Sequence, residues 1–220
     1  MVQVGARWWK FDFHTHTPAS MDYGRHEPHL RNNVTPREWL SSFVEKGIEC
    51  VAVTDHNTAS WVDRLQEEAA VMRNEGKSIH VFPGVEITAN GNIHILAIFD
   101  PSNSSEIVMA AVGASKFRGE YGNSDAVAGE SAENIVEEIT KLGGIAIPAH
   151  VDMKAGMCQI QSSHTIRQIC QKSSAIEVIF PEGGRGPEHD DCLRRYKGLD
   201  LGLAEVIGSD AHRPDEVVRA

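Results

Sequence analysis

The chain has 220 residues, of which 41% are hydrophobic and 24% charged, as is ordinary for a soluble globular protein. No stretch approaches about 18 consecutive apolar residues, which excludes a membrane-spanning helix. The segment Met1–Lys10 lacks the apolar run of a secretory signal, which predicts a cytoplasmic protein. The net charge of −10 argues against a broad basic surface for nucleic acid or anionic membranes. A phosphate-bearing substrate stays compatible with this charge if metal ions reverse the local sign.

Seven short apolar runs predict the strands of one α/β domain that covers residues 1–220. The runs are Lys10–Phe13, Glu49–Val53, Ile79–Phe82, Ile93–Phe99, Gly144–Ile147, Ala175–Phe180 and Glu205–Ile207. Because they are rich in valine, isoleucine and alanine on both faces, they are typical of buried parallel strands. Their alternation with helical segments predicts a parallel sheet, either closed into a barrel or open and doubly wound.

Helical patterns lie between most of these runs. Thr35, Pro36 and Glu38 form a capping box with proline at the first helical position, and Gly47 ends that helix. Further helices are predicted at Ser60–Asn74, Ser105–Val112, Ala132–Leu142, Thr165–Gln171 and Glu188–Tyr196. Two polar, glycine-bearing stretches, Gly119–Glu130 and Pro181–Asp191, are predicted loops. We interpret the first as a disordered connection rather than a lid over a site.

Histidine is frequent, with 11 residues in the chain, and the polar residues beside the predicted strands are mostly imidazoles and carboxylates. They are His14, His16, Asp55, His56, Glu86, His94, His150, Asp210 and His212, and all except His94 follow a strand. Because parallel α/β barrels form their active site at one rim, we expect most of them to converge. Residues two apart on a strand point the same way, so His14 and His16 can hold one ion together. Imidazole with carboxylate suits zinc, manganese or iron better than magnesium or calcium.

The remaining reactive side chains fall outside this pattern. His80, His164 and His189 are expected to be solvated. The cysteines at positions 50, 158, 170 and 192 show no paired spacing, which predicts reduced and partly buried thiols.

The order of the motifs resembles the PHP (polymerase and histidinol phosphatase) superfamily. The matching segments are His14-x-His16, Thr-Asp55-His56-Asn, Gly-Val-Glu86, Pro-Ala-His150 and Gly-Ser-Asp210-x-His212. The opening segment Ala6–Ser20 further resembles PHP domains that precede an ATPase module in large bacterial proteins. The 220 residues contain no P-loop pattern, and the resemblance leaves open whether the chain is free-standing or part of a longer protein.

This resemblance implies a distorted, TIM-like seven-stranded (β/α) barrel with outer helices and two or three divalent metal ions. Carried over by position, the first metal has the ligands His14, His16, Glu86 and Asp210. Glu86 bridges to a second metal that His94 and His150 complete, and the third has the ligands Asp22, His56 and His212. The spacing of Asp22 is the least fixed, and His26 or His29 are its alternatives.

Four more residues receive supporting roles. Asp12 and Asp55 are predicted to orient imidazoles, with a capping or surface role as the alternative for each. Arg213 and Arg185 are candidates for binding a phosphate, because a planar guanidinium donates two parallel hydrogen bonds.

Clustered metal ions stabilise the attacking and leaving oxygens of phosphoryl transfer. The expected activity is therefore a metal-dependent phosphoesterase, in which a metal-bound hydroxide attacks phosphorus without a protein nucleophile. A phosphodiester in a nucleic-acid end or nucleotide is the first substrate class, and a small phosphomonoester, as in histidinol phosphatases, is the alternative. A metal-dependent amidohydrolase fits less well, since no predicted strand ends in lysine. The complete ligand set argues against a non-catalytic regulatory PHP domain.

Overall fold

The computed structural model describes residues 7–153, 156, 157, 160 and 162–217. Its strands are β1 (Phe11–Asp12), β2 (Cys50–Val53), β3 (His80–Ala89), β4 (Ile93–Ile98), β5 (Ile145–Pro148), β6 (Ile176–Glu177) and β7 (Glu205–Val206). Its helices are α1 (Pro28–Asn33), α2 (Pro36–Glu45), α3 (Val62–Asn74), α4 (Ser105–Ala114), α5 (Ala132–Lys141), α6 (Ser163–Lys172) and α7 (Pro187–Lys197). Each of the seven apolar runs overlaps a strand, whereas the short helix α1 was not predicted.

The strands form a curled five-stranded sheet and a separate two-stranded sheet. The first has the order β1-β2-β3-β4-β5, and the second pairs β6 with β7 in parallel. β1, β2 and β3 are parallel, but β4 is antiparallel to both β3 and β5. The fold is therefore α/β, and the expectation of an all-parallel sheet is wrong for β4. The closed seven-stranded barrel stays a prediction.

A short link explains the antiparallel pair. β3 continues past its predicted end at Phe82 as far as Ala89, so only three residues separate it from β4. A parallel connection needs a dozen or more residues, so this link imposes an antiparallel hairpin. Gly91 and Asn92 make the turn with φ angles of 95° and 59°. As a result His94, near the start of β4, lies opposite Thr88 near the end of β3.

Backbone hydrogen bonds connect the two sheets at both of their edges. On one side, the amide of Asp210 donates to the carbonyl of His14 at 2.9 Å. On the other side, the amide of Val151 donates to the carbonyl of Glu177 at 3.0 Å. The segment after β7 therefore lies beside the segment after β1, and the segment after β5 lies beside β6.

Helix α2 shows how local sequence and packing together position the end of β1. Thr35 and Glu38 form the predicted capping box, which satisfies amides at the helix start. The indole of Trp39 is buried and donates a hydrogen bond to the carbonyl of His16 at 2.9 Å. Burying an aromatic side chain of this kind contributes about 1.5–3 kcal/mol, so the helix holds the His16 backbone in place.

The segment 119–130 is ordered by hydrogen bonds, which corrects the prediction of a disordered connection. The amide of Gly122 donates to the carbonyl of His56 at 2.9 Å, and the side chain of Asn57 donates to the carbonyl of Ala126 at 3.2 Å. These bonds hold the loop against the segment that follows β2.

Two further expectations concern the thiols and the membrane. Cys50 and Cys170 are buried and Cys192 is partly buried, and all three thiols are free. Cys158 lies outside the described residues. Within the part of the chain that is described, no helix has both the length and the apolar character needed to cross a membrane.

Candidate metal centre

Four side chains from three parts of the chain surround one point. Nε2 of His14 and Nε2 of His16 are 3.1 Å apart. Nε2 of His14 lies 3.4 Å from Oε2 of Glu86 and 3.4 Å from Oδ1 of Asp210. Nε2 of His16 lies 3.5 Å and 3.3 Å from the same two oxygens. Ligand atoms bound tetrahedrally at about 2.1 Å are separated by roughly 3.4 Å. The spacing of these four groups therefore suits one shared cation.

The other carboxylate oxygen of Glu86 faces a second pair of imidazoles. Oε1 of Glu86 lies 2.6 Å from Nδ1 of His94 and 3.1 Å from Nε2 of His150. The antiparallel β4 is what brings His94 to this rim. Glu86 thus presents one oxygen to each of two neighbouring groups of ligand atoms, as the bridging role requires.

A third group lies on the side of His56. Oδ2 of Asp22 is 3.2 Å from Nε2 of His56 and 3.5 Å from Nε2 of His212. Nδ1 of His56 is 2.9 Å from Oε2 of Glu86, so this group adjoins the others. His26 and His29, the alternatives to Asp22, are both exposed. The structure thus brings all nine predicted ligand residues together.

Several atoms in this cluster lie close to each other without forming hydrogen bonds. Among the described residues, Oε2 of Glu86, both ring nitrogens of His56 and Oδ1 of Asp22 are buried and have no hydrogen-bond partner. An unsatisfied buried polar group costs about 1–3 kcal/mol, so such a set needs a further partner. Lone pairs that converge on common points are what divalent cations bind, and the mixed nitrogen and oxygen donors fit a transition metal.

The backbone is strained at two of these residues. Asp210 has φ 49° and His150 has φ 29°, values that are uncommon for residues other than glycine. Strain of this kind persists where surrounding contacts impose it, and it concentrates at functional sites. Here the amide of Asp210 is held by the His14 carbonyl and the amide of His150 by the Glu177 carboxylate.

Glu177 contacts the cluster and was not predicted from the sequence. Its Oε2 lies 2.9 Å from Nδ1 of His14 and also accepts a hydrogen bond from the amide of His150 at 2.9 Å. Glu177 and His14 are fully buried. The available signal was a lone carboxylate inside the apolar run Ala175–Phe180, where a charge is costly unless it has partners.

Asp55 supports His16 through an intervening hydroxyl. Its carboxylate accepts hydrogen bonds from the backbone and side chain of Thr17 and from Oγ of Ser20, at 2.6–2.7 Å. Oγ of Ser20 in turn lies 3.0 Å from Nδ1 of His16. Burial raises the pKa of the Asp55 carboxyl to about 6.

Asp12 contacts backbone rather than an imidazole. Its Oδ1 accepts hydrogen bonds from the amides of Ser209 at 2.9 Å and His14 at 3.3 Å. Burial raises the pKa of this carboxyl to about 6. Asp12 therefore joins the segment before Asp210 to β1, which matches the capping alternative rather than the orienting one.

The carboxylates of the cluster favour the binding of a cation. Burial opposes protonation of His14, but the carboxylates of Glu177, Glu86 and Asp210 raise the pKa of its imidazole well above the usual value. Burial and the neighbouring His212 and His56 lower the pKa of His16 to about 3, so that ring is neutral near pH 7. A neutral imidazole among carboxylates is the protonation state that a metal ligand needs.

The two arginines proposed for phosphate binding differ in their surroundings. The guanidinium of Arg213 is paired with Glu27 at 2.9 Å and with Asp215 at 2.7 Å, so both of its terminal nitrogens are already engaged. Arg185 lies over the ring of Phe180, with its guanidinium carbon 3.8 Å from the ring centroid. Of these two arginines, Arg185 is the one for whose guanidinium the described residues include no carboxylate partner.

The three histidines outside the motifs have different environments. His164 is exposed, as expected. His80 is partly buried and packs edge-on against Trp9, with ring centroids 5.0 Å apart. His189 is buried, with Nε2 2.9 Å from Oδ2 of Asp152, so the prediction that it is solvated is wrong. The reason is that Asp152 supplies the buried partner the ring needs.

A cavity of about 340 Å³ opens onto the cluster. Its described walls are formed by Asp22, His56, Glu86, His94, Ser124, His150, Met153, Asp210 and His212. Ser124 and Met153 are the two wall residues that no motif predicted. Ser124 belongs to the ordered loop 119–130, so that loop forms part of the wall.

Comparison by sequence gives partial matches. No protein-family model matches the chain. An uncharacterized protein of Streptococcus pneumoniae is 34% identical over 68 residues, which are 29% of this chain and 26% of that protein. The 5'-3' exoribonuclease Rnm of Salmonella typhimurium is 30% identical over 91 residues, which are 40% of this chain and 27% of that protein. The matched regions thus span about a quarter of each curated relative.

Comparison by structure matches nearly the whole chain. A candidate metal-dependent phosphoesterase of Bifidobacterium adolescentis has a TM-score of 0.62 at 18% identity, over 94% of this chain and 88% of that one. An amidohydrolase of Chromobacterium violaceum with bound sulfate has a TM-score of 0.63 at 18% identity, over 96% and 90%. The lesion-specific endonuclease Q of Pyrococcus furiosus has a TM-score of 0.64 at 15% identity, over 94% and 49%.

One further similar structure contains a domain described as PHP-like. A two-domain protein of Bacteroides vulgatus contains a predicted PHP-like metal-dependent phosphoesterase. Its TM-score is 0.50 at 18% identity, over 94% of this chain and 53% of that one. The chain therefore shares its fold with these structures, one of which contains a domain described as PHP-like.

Proposed function

We propose that this protein is a metal-dependent hydrolase of phosphate esters. The observation that carries the proposal is the position of Glu86, whose two carboxylate oxygens face different sets of imidazoles at the base of an open cavity. Adjacent metal ions that share a carboxylate are the arrangement suited to phosphoryl transfer.

The nine clustered residues assign three sites under this proposal. His14, His16, Glu86 and Asp210 hold one ion; Glu86, His94 and His150 hold the second; Asp22, His56 and His212 hold the third. Zinc, manganese or iron fits the imidazole-rich donors. When bound, such ions acidify water and neutralise negative charge on the phosphoryl oxygens.

The protein's own contribution is orientation. Glu177 orients the ring of His14, and Asp55 orients the ring of His16 through the hydroxyl of Ser20. Trp39 fixes the backbone carbonyl of His16. Fixing imidazoles through their second nitrogen sets their tautomer and typically strengthens metal binding. The described walls of the cavity contain no cysteine and no lysine, so they offer neither a thiolate nucleophile nor the lysine typical of amidohydrolase centres.

A phosphodiester at a nucleic-acid end or in a nucleotide is the proposed substrate class. Support comes from the exoribonuclease among the sequence relatives and the endonuclease among the structural neighbours. The net charge of −10 favours a short or terminal substrate over a long duplex. A small phosphomonoester is the alternative, and an ATPase module elsewhere in a longer protein stays a prediction. We also propose that the seven strands close into one barrel domain.

The test combines metal content with turnover. Elemental analysis of the purified chain should find two or three divalent ions per molecule, and manganese or zinc should support hydrolysis of phosphodiesters from a panel that includes monoesters and amides. His14→Ala should abolish turnover while circular dichroism shows an intact fold. His164→Ala, which removes an exposed imidazole, is the matched control.

Three outcomes would contradict parts of the proposal. Equal activity of the wild type and His14→Ala would mean that the measured reaction comes from a contaminant. Metal-loaded protein with no turnover of any phosphate ester would favour a regulatory role. A strong preference for monoesters would keep the phosphoesterase and reverse the order of the two substrate classes.

A further inference from the structure

A second cavity adjoins the one that opens onto the metal cluster. Its volume is about 350 Å³, and its described walls are formed by Met153, Arg185, Gly186, Pro187, Glu188 and His189. Met153 also lines the first cavity, so the two spaces meet at its side chain. A ligand anchored at the metal cluster can therefore extend past Met153 into the second space.

Arg185, which lines this second cavity, lies over an anchored aromatic ring. Its guanidinium carbon lies 3.8 Å from the ring centroid of Phe180. The amide of Phe180 donates to Oδ2 of Asp152 at 2.8 Å, and the ring packs edge-on against His189 with centroids 5.7 Å apart. Asp152 is fully buried and follows the predicted ligand His150 by two residues. The stack is thus tied to the segment that carries the metal cluster.

The lining of this cavity suits a flat, mainly uncharged group. Met153 and Pro187 are apolar, and a thioether packs well against aromatic rings. Glu188 adds a carboxylate to the wall, which disfavours a second phosphate in the same space. Arg185 offers a planar surface, and guanidinium planes and aromatic rings are the supports on which proteins stack nucleobases.

We propose that the second cavity binds the nucleobase next to the scissile phosphate, stacked on the guanidinium of Arg185. This inference rests on the proposed function. It narrows the substrate class to phosphate esters that carry a nucleobase, because an ester without a base gains no binding from the second cavity. Arg185 is then a specificity-determining residue that acts on substrate binding.

The test compares a dinucleotide with the same dinucleotide made abasic at the residue beside the cleaved phosphate. Arg185→Ala should lower kcat/KM for the base-bearing substrate roughly 10-fold, mainly through a higher KM, because this is the scale of base stacking. The abasic substrate should be cleaved equally by both proteins. Arg185→Lys keeps the charge without the plane and should behave like Arg185→Ala. Arg194→Ala, which removes an exposed arginine of α7 paired with Asp191, is the matched control.

A binding readout separates failure of this inference from failure of the proposed function. Binding is measured in chelator, where no turnover occurs, with a dinucleotide that carries 2-aminopurine. The fluorescence of this base should fall when it stacks on Arg185, and the dinucleotide should bind more weakly to Arg185→Ala. Equal binding to both proteins would overturn the inference, whatever the activity. A loss of activity in Arg185→Ala on both substrates alike, or full rescue by Arg185→Lys, would instead assign Arg185 to a phosphate.

Discussion

The carboxylate of Glu177 lies 2.9 Å from Nδ1 of His14, and this contact fixes which ring nitrogen faces the cluster. A carboxylate accepts the hydrogen bond here, so Nδ1 is the donor, and Nε2 is the nitrogen that can offer a lone pair to a metal ion once it releases its own proton. Nε2 lies 3.4 Å from both Glu86 and Asp210. A residue far along the chain thus sets the tautomer of the first histidine of the motif.

Glu177→Gln tests this relationship. The amide keeps an acceptor oxygen and nearly the same shape, but it removes the negative charge that makes His14 a stronger donor to metal. We expect metal affinity to fall about 10- to 100-fold, with activity reduced in proportion at limiting metal. Competition with a chromogenic chelator measures the affinity, and Glu182→Gln on an exposed position is the control. An unchanged affinity would mean that Glu177 serves only the amide of His150.

Gly208 has no side chain and so leaves room for the contact between Glu177 and His14. A Cβ built on Gly208 would lie 2.3 Å from Oε1 of Glu177 and 2.5 Å from Cβ of His14. Gly208→Ala should therefore displace both groups, weaken metal binding and destabilise the fold by about 1–3 kcal/mol. Urea unfolding in chelator measures the stability independently of bound metal.

The control for Gly208 is a glycine in open surroundings. A Cβ on Gly113, in α4, meets no atom within 4 Å. Gly113→Ala should therefore stabilise the protein by about 0.5–1 kcal/mol through lower chain entropy. If both variants changed stability by the same amount, the close approach at Gly208 would not explain the first result.

The sequence predicts the strands and helices well because their signals are local. The capping box at Thr35 and most of the apolar runs specify elements within a few residues of their positions in the structure. The link between β3 and β4 also had a local signal, since Asn90-Gly91-Asn92 consists of residues that favour tight turns. It was hidden because β3 was predicted to end at Phe82.

The candidate site was predictable to the extent that its residues follow strands. Most of the nine predicted ligands converge because they lie at strand ends that share one rim, and His94 joins them through the antiparallel β4. Glu177, Asp152 and Ser124 could not be placed in the same way. Each acts through partners distant in sequence, such as His14 for Glu177 and His189 for Asp152. No local pattern encodes such pairs.

The hydrogen bond from Trp39 to the His16 carbonyl predicts a cost in stability. Trp39→Phe keeps most of the buried surface but leaves that carbonyl without its donor at a buried position. The expected loss is about 1–3 kcal/mol, from the unmet hydrogen bond. Trp61→Phe is the comparison, since among described residues its indole makes no hydrogen bond to protein, and it should cost less. Urea unfolding of both variants in chelator separates the hydrogen bond from lost volume, and equal costs would contradict the assigned role.

The buried pair of His189 and Asp152 predicts how stability depends on pH. Burial opposes protonation of His189, but hydrogen bonds to Asp152 and Asp190 raise the pKa of its imidazole above the usual value. A raised histidine pKa means that the folded protein holds the proton more tightly than the unfolded chain. The added stability is complete below the unfolded pKa of about 6.5 and is lost as the pH rises through the folded pKa.

His189→Gln removes the titrating group and keeps a side chain that can donate a hydrogen bond. The difference in unfolding free energy between wild type and variant should be largest near pH 6 and should shrink toward pH 9. Denaturant unfolding across this range, with chelator present in both samples, measures the difference free of metal binding. A difference that stays constant with pH would show that His189 is neutral in the folded protein and that Asp152 holds Phe180 without help from an imidazolium.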